Sequence, residues 1–153
     1  MSNTTAAEEE KRRQEELASA RNDVYSKQNS LSGKESQRRT NEGKITRLKA
    51  VKSTLETEKA NAEAGHKKMK NFAENPDNFS DWFGEKRTRT QEVFNNNIIP
   101  EYDKYVDRID DALDAVSNEI TRLQNENYRL DSDIGWLKSA INSLWNKIYT
   151  LTN

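Results

Sequence analysis

The chain has no cysteine, one histidine, two prolines and five glycines among its 153 residues. Without cysteine, disulfides and thiolate metal sites are excluded. With His66 the only histidine, no histidine pair or histidine–carboxylate cluster stands at metal-ligand spacing. His66 lies in Gly65-His66-Lys67-Lys68, which reads as solvated surface. The glycines are scattered, so no phosphate-binding loop is formed. No run of about 18 apolar residues is present, which excludes a membrane-spanning helix. Met1 to Ala7, followed by Glu8-Glu9-Glu10, lacks the apolar centre of a signal peptide. The expectation is a cytoplasmic chain whose export, if any, uses another route.

What is present is charge. Charged residues make up 33% of the chain, hydrophobic residues 32%, and the mean hydropathy is −1.15. That is too polar for a deep core. Long helices that bury only a stripe reconcile such polarity with order. The two halves differ in sign. Residues 1–72 carry sixteen Lys and Arg against eleven Asp and Glu, while residues 73–153 carry nine against fifteen. A basic arm and an acidic arm attract each other when folded together.

Thr5-Ala6-Ala7-Glu8 fits a capping box with Thr5 as N-cap. No proline follows until Pro76. Apolar positions then recur every seven residues as Leu17, Val24, Leu31 and Ile45, interrupted by Arg38. A second row is Leu48, Leu55, Ala62 and Met69. Lys27, Lys34 and Asn41 sit where the companion stripe should be, so this seam is poor. Gly33, Gly43 and Gly65 each cost about 1 kcal/mol in a helix interior. A bend or fray is expected near residues 29–44. Asn75-Pro76-Asp77-Asn78 ends the helix, because proline breaks the ladder and Asx residues favour turns. Phe72, Phe79, Trp82 and Phe83 gather around that turn.

The second arm repeats more strictly. One row reads Ile99, Val106, Leu113, Ile120, Asn127, Ile134, Ile141 and Ile148. Three residues on, the companion row reads Tyr102, Ile109, Val116, Leu123, Leu130, Leu137, Leu144 and Leu151. Heptads sustained over this length specify a left-handed coiled coil. Asn127 is the one clearly polar member, and a lone buried Asn at such a position fixes register and orientation. Pro100, preceded by Asn95-Asn96-Asn97, predicts a kink or break at 95–100.

The expected fold is all-α: an elongated antiparallel helical hairpin, a single coiled-coil domain over residues 1–153. Helix 1 covers about 5–72, the turn about 73–85 and helix 2 about 86–151. A reversal near residue 78 pairs Leu55 with the region of Tyr102, Leu48 with Ile109, and Leu17 with Leu137 and Ile141. The rival is a parallel oligomer in which residues 99–151 form a zipper. Ile134, Leu137, Ile141, Leu144, Ile148 and Leu151 face an arm that offers only Leu17, Val24, Leu31 and alanines. Trp136, Trp145 and Tyr149 lie on adjacent faces. Such apolar surplus marks an interface with another chain. That chain is either a second copy or a different partner.

No catalytic, cofactor or metal site is expected. Asp103, Asp107, Asp110, Asp111 and Asp114 fall mainly on the outer face of helix 2, where no cleft raises a pKa or excludes water. The residues before the zipper are Asn95 to Asn97, Pro100 and acids, unlike a DNA-binding basic zipper. Nucleic-acid binding and membrane insertion are therefore not expected.

Trp82-Phe83-Gly84, at the turn between two heptad arms, resembles the motif of the WxG helical-hairpin proteins of type VII secretion. Phe94 follows about ten residues on, then Tyr102-Asp-Lys-Tyr105-Val-Asp-Arg-Ile109-Asp110. With the Lys- and Glu-rich first helix, this pattern looks closest to the YwqH-like branch. The resemblance implies a hairpin whose Trp82 and Gly84 sit in the loop. It also implies a small partner of toxins with N-terminal LXG helical domains, helping to present them for export, with a second small helical protein as a further candidate partner. Many substrates of that route carry Tyr-x-x-x-Asp/Glu. Here the fourth residue after Tyr102 is Val106, after Tyr105 Ile109, after Tyr128 Ser132 and after Tyr149 Asn153. Either the partner carries the export signal or this chain stays in the cell. A self-assembling structural coiled coil, such as a phage or scaffold component, is the alternative function.

Overall fold

The computed structural model describes residues 2–79 and 84–153. Helix α1 runs from Ser2–Glu74, a single 3-10 turn covers Pro76–Phe79, and helix α2 covers Glu85–Val93. A π-helical turn, Phe94–Ile98, leads into helix α3, Ile99–Thr152. Among the described residues there is no strand, so the expected all-α helical hairpin stands. None of their helices is long and apolar enough to cross a membrane.

The helix ends follow from local chemistry. Asn75 Oδ1 accepts the Asp77 N–H at 3.0 Å, and Asn78 Nδ2 donates to the Phe72 carbonyl at 3.0 Å. These contacts satisfy groups that the end of α1 leaves open. At its other end α1 starts at Ser2, upstream of the expected N-cap Thr5. No glycine or proline stands in residues 2–7 to stop it. The break expected at 95–100 is the π turn, where Ile99 N–H bonds to the Phe94 carbonyl. A widened turn accommodates the proline ring and its missing donor.

The chain forms two compact units: the residues up to Lys44 with Leu123–Asn153, and Ile45–Arg122. In each, α1 packs antiparallel against α3. Asn41 meets Asn127 and Lys34 meets Asp133 in the first unit, while Lys59 meets Asp110 and His66 meets Asp103 in the second. All four pairs centre on about residue 84. The expected register is therefore shifted. Leu55 stands opposite Leu113, Leu48 opposite Ile120, and Leu17 packs with Ile148 and Leu151. The helix ends stand where the expected turn of about 73–85 puts them, so the shift lies in the pairing: α1 stops at Glu74, and the next helix is α2, from Glu85. Gly84 precedes it at φ 66, ψ −134, a conformation that costs a side-chain-bearing residue strain.

The first unit holds a continuous seam. Leu17, Ala20, Val24, Leu123, Leu130, Ile134, Leu137, Ile141 and Ile148 are buried in it. Asn41 and Asn127 are buried in the same seam, and Asn41 Nδ2 donates to Asn127 Oδ1 at 3.0 Å. In the second unit Ala62, Ala73, Ile109 and Ile120 are buried, and most other seam positions are half-buried. The zipper rival loses its basis here, because α1 of the same chain covers the α3 rows. The fray expected near 29–44 is not seen, since α1 is helical throughout that stretch. The polar residues that made that seam look poor are matched across it: Lys34 to Asp133 at 2.9 Å, Arg38 to Asp131, and Asn41 to Asn127.

The basic and acidic arms meet as their signs predict. Lys59 reaches Asp110 at 2.6 Å and His66 Nε2 lies 3.1 Å from Asp103. The hydrogen bond to Asp110 holds the Lys59 ammonium above its ordinary pKa, and the bond to Asp131 does the same for Arg38. His66 is not on open surface: its side chain is half-buried, edge-on to Tyr102 with ring centroids 6.3 Å apart. Gly65 makes room for that ring, since a Cβ there would stand 3.1 Å from Tyr102 Cε1.

Candidate interaction surface

The residues expected to form a partner interface lie in the seam of the first unit. Ile134, Leu137, Ile141 and Ile148 are buried, and Leu144 and Leu151 pack partly buried against Leu17, Ala20 and Val24. The surplus apolar stripe is thus covered by α1. By register Ala20 stands opposite Ile148, Lys27 opposite Ile141 and Lys34 opposite Ile134. A small residue admits close approach, and a lysine stem covers apolar surface while its head reaches out. The Lys34 head goes to Asp133, and the Lys27 ammonium sits 4.9 Å from the Trp136 ring centroid. Asn127 lies where the sequence places it. Its partner Asn41 was legible as a seam position, but only the register shows which residue it meets.

Aromatic side chains are what the first unit leaves uncovered. Tyr25 is 69% exposed, Tyr128 77%, Trp136 63%, Trp145 50% and Tyr149 70%. Their helical phase sorts them. Lettering each heptad so that the seam rows are a and d, Lys138 and Glu35 are e residues bridging one edge of the helix pair at 3.5 Å. Gln37 and Glu126 are g residues bridging the other at 2.6 Å. Tyr25, Tyr128 and Tyr149 are b residues and Trp145 is an e residue, so all four belong to the first edge. Trp136, a c residue, belongs to the second.

In the second unit a shallow apolar groove is lined by Ile98, Glu101, Tyr102 and Tyr105, beginning at Asn97 of the π turn. Phe72 and Phe94 pack against each other with ring centroids 5.5 Å apart. Of the turn motif, Gly84 is described and takes the positive φ that a turn glycine allows, whereas Trp82 lies outside the described residues, as does Phe83. Among the described residues no group of three or more His, Asp or Glu side chains could hold a metal ion.

Comparison with curated proteins and with solved structures yields no match. The sequence profile of the YwqH-like family matches residues 24–146, a span taking in most of both heptad arms, the turn and the π break. The chain belongs to the YwqH-like family.

Proposed function

We propose that the chain is a non-enzymatic helical-hairpin partner protein that binds the N-terminal LXG helical domain of a type VII secretion toxin and aids its targeting or export. The observation that carries this reading is the row of exposed aromatics on a helix pair whose own seam is already filled. A helix pair that leaves several large aromatic side chains exposed along one edge offers them as contacts for another surface. Tyr and Trp suit that task because they supply large contact area at small entropic cost. The class of partner proposed is the one that the resemblance of Trp82-Phe83-Gly84 implies, and family membership is in keeping with it.

Co-expression with an LXG-type helical domain tests the reading. The expected outcome is a 1:1 complex by size-exclusion chromatography with light scattering. A stable homodimer that ignores the domain overturns it.

A further inference from the structure

The aromatic edge of the first unit has an unbalanced charge pattern. Its carboxylates are already engaged: Glu35 with Lys138 at 3.5 Å, Glu42 with Arg38 at 2.5 Å, and Asp131 with Arg38. Its two exposed guanidiniums, Arg21 at an e position and Arg39 at a b position, have no ion-pair partner among the described residues. By register Arg21 lies level with Tyr25 and Trp145, and Arg39 level with Tyr128. The two arginines stand eighteen residues apart, about 27 Å along a helix at roughly 1.5 Å per residue. Between Tyr128 and Tyr149 the b row passes through Gly135, where an added Cβ would meet nothing within 4 Å. The edge therefore has an aromatic group and a cation at each end, and a low saddle between them.

We infer that this edge docks one helix of a different protein, an amphipathic helix whose apolar row is flanked by carboxylates about five turns apart. The apolar row lies between Tyr128 and the Tyr25–Trp145–Tyr149 group, over Gly135. The carboxylates meet Arg21 and Arg39, and a guanidinium fork suits a carboxylate in two-bonded geometry. A second copy joined through the same edge fails on charge, since it brings guanidiniums towards guanidiniums with every carboxylate already taken. The inference deepens the partner reading above and rests on it only for the partner's identity.

The test uses the full chain, an LXG-type domain, and two synthetic helical peptides of about 28 residues. Both peptides carry a leucine row; one is flanked by glutamates and the other by lysines. Arg21→Glu with Arg39→Glu should weaken binding of the domain by about tenfold or more, with a smaller effect at high salt. Trp145→Ala with Tyr149→Ala should weaken it similarly. Trp136→Ala, on the other edge, should stay within about twofold. Circular dichroism confirms that each variant remains helical. The glutamate peptide should bind and the lysine peptide should not.

If the domain binds and neither edge variant matters, the inference falls while the proposed function stands. If the domain is not bound but the glutamate peptide binds in an arginine-dependent way, the function falls while the surface stands. Failure of both probes overturns the surface, as does a wild-type dimer that Trp145→Ala dissociates.

Discussion

The two units use the same heptad repeat and bury it differently. By sequence the first unit holds the weaker half of α1, with Lys27, Lys34, Arg38 and Asn41 on its seam, yet its α3 row is the more completely covered. The second unit has Leu48, Leu55 and Met69 on α1, and they remain half-buried. Both units mix pairings along the register. In the first, Ile148 faces Ala20 and Ile141 faces Lys27, while Leu17 packs with Leu151. In the second, Leu55 faces Leu113 and Leu48 faces Ile120, while Val106 faces Ala62 and Ile109 faces Lys59. The difference lies in the α3 row itself, which is Ile and Leu apart from Asn127 in the first unit and carries Tyr102, Val106 and Val116 in the second. The apolar content of α1 alone is a poor guide to how tightly the two helices pack.

The sharpest test of this contrast removes one leucine from each unit. Leu123 is 1% exposed, and Leu123→Ala should cost about 2–5 kcal/mol in denaturant melts. Leu113→Ala, at a half-buried site, should cost about 1 kcal/mol. Equal losses would break the comparison. Next in size is Asn127→Ala, which leaves the Asn41 amide buried without its partner and should cost about 1–3 kcal/mol.

A pair of glycines gives a smaller effect with opposite expectations. An added Cβ at Gly33 meets nothing within 4 Å, so Gly33→Ala should stabilise the first unit by about 0.5–1 kcal/mol. Gly65→Ala in the second unit should give no such gain, because the new Cβ stands 3.1 Å from the Tyr102 ring. Thermal melts of both variants decide this, and a gain at Gly65 would show that the Tyr102 ring yields freely. The smallest effect is alkaline. Asp110 raises the folded-state pKa of Lys59 above its unfolded value. Its contribution is then fully present below the ordinary lysine range and is lost as pH rises through the folded value. Melting midpoints followed from about pH 9 to about pH 12 should fall less steeply in Lys59→Met than in the wild type.

Much of the fold was legible in the residues. The α3 rows, the end of α1 before Pro76, the break before Pro100 and the attraction of a basic arm for an acidic one all follow from local chemistry. The register did not. A seven-residue repeat matches itself at every seventh offset, and the ends of the turn do not set the offset. A pairing centred near residue 78 instead of 84 puts other residues opposite one another. Lys27 and Lys34 then look like gaps instead of covers, and the isoleucines opposite them look spare. His66 was misplaced because its neighbours in sequence are polar, while its seam position is set by heptad phase. The exposed aromatics were visible as residues, but their shared edge needs the pairing of both helices.

The Asn41–Asn127 bond resolves the very ambiguity that defeats a reader of the repeat. Sliding α3 by one heptad along α1 would still set apolar rows against each other, so hydrophobicity discriminates weakly among such frames. In either slipped frame Asn127 would meet Lys34 or Leu48, and Asn41 would meet Ile134 or Ile120. Two amides would then be buried apart instead of together, each at about 1–3 kcal/mol. The bond acts as a vernier mark on two rulers of equal pitch. Only one alignment of the marks coincides, and that alignment also places Arg21 and Arg39 beside the aromatic side chains of the opposite helix. A slip of one heptad would leave a hairpin that is still helical, but whose outer edge no longer spells the same surface.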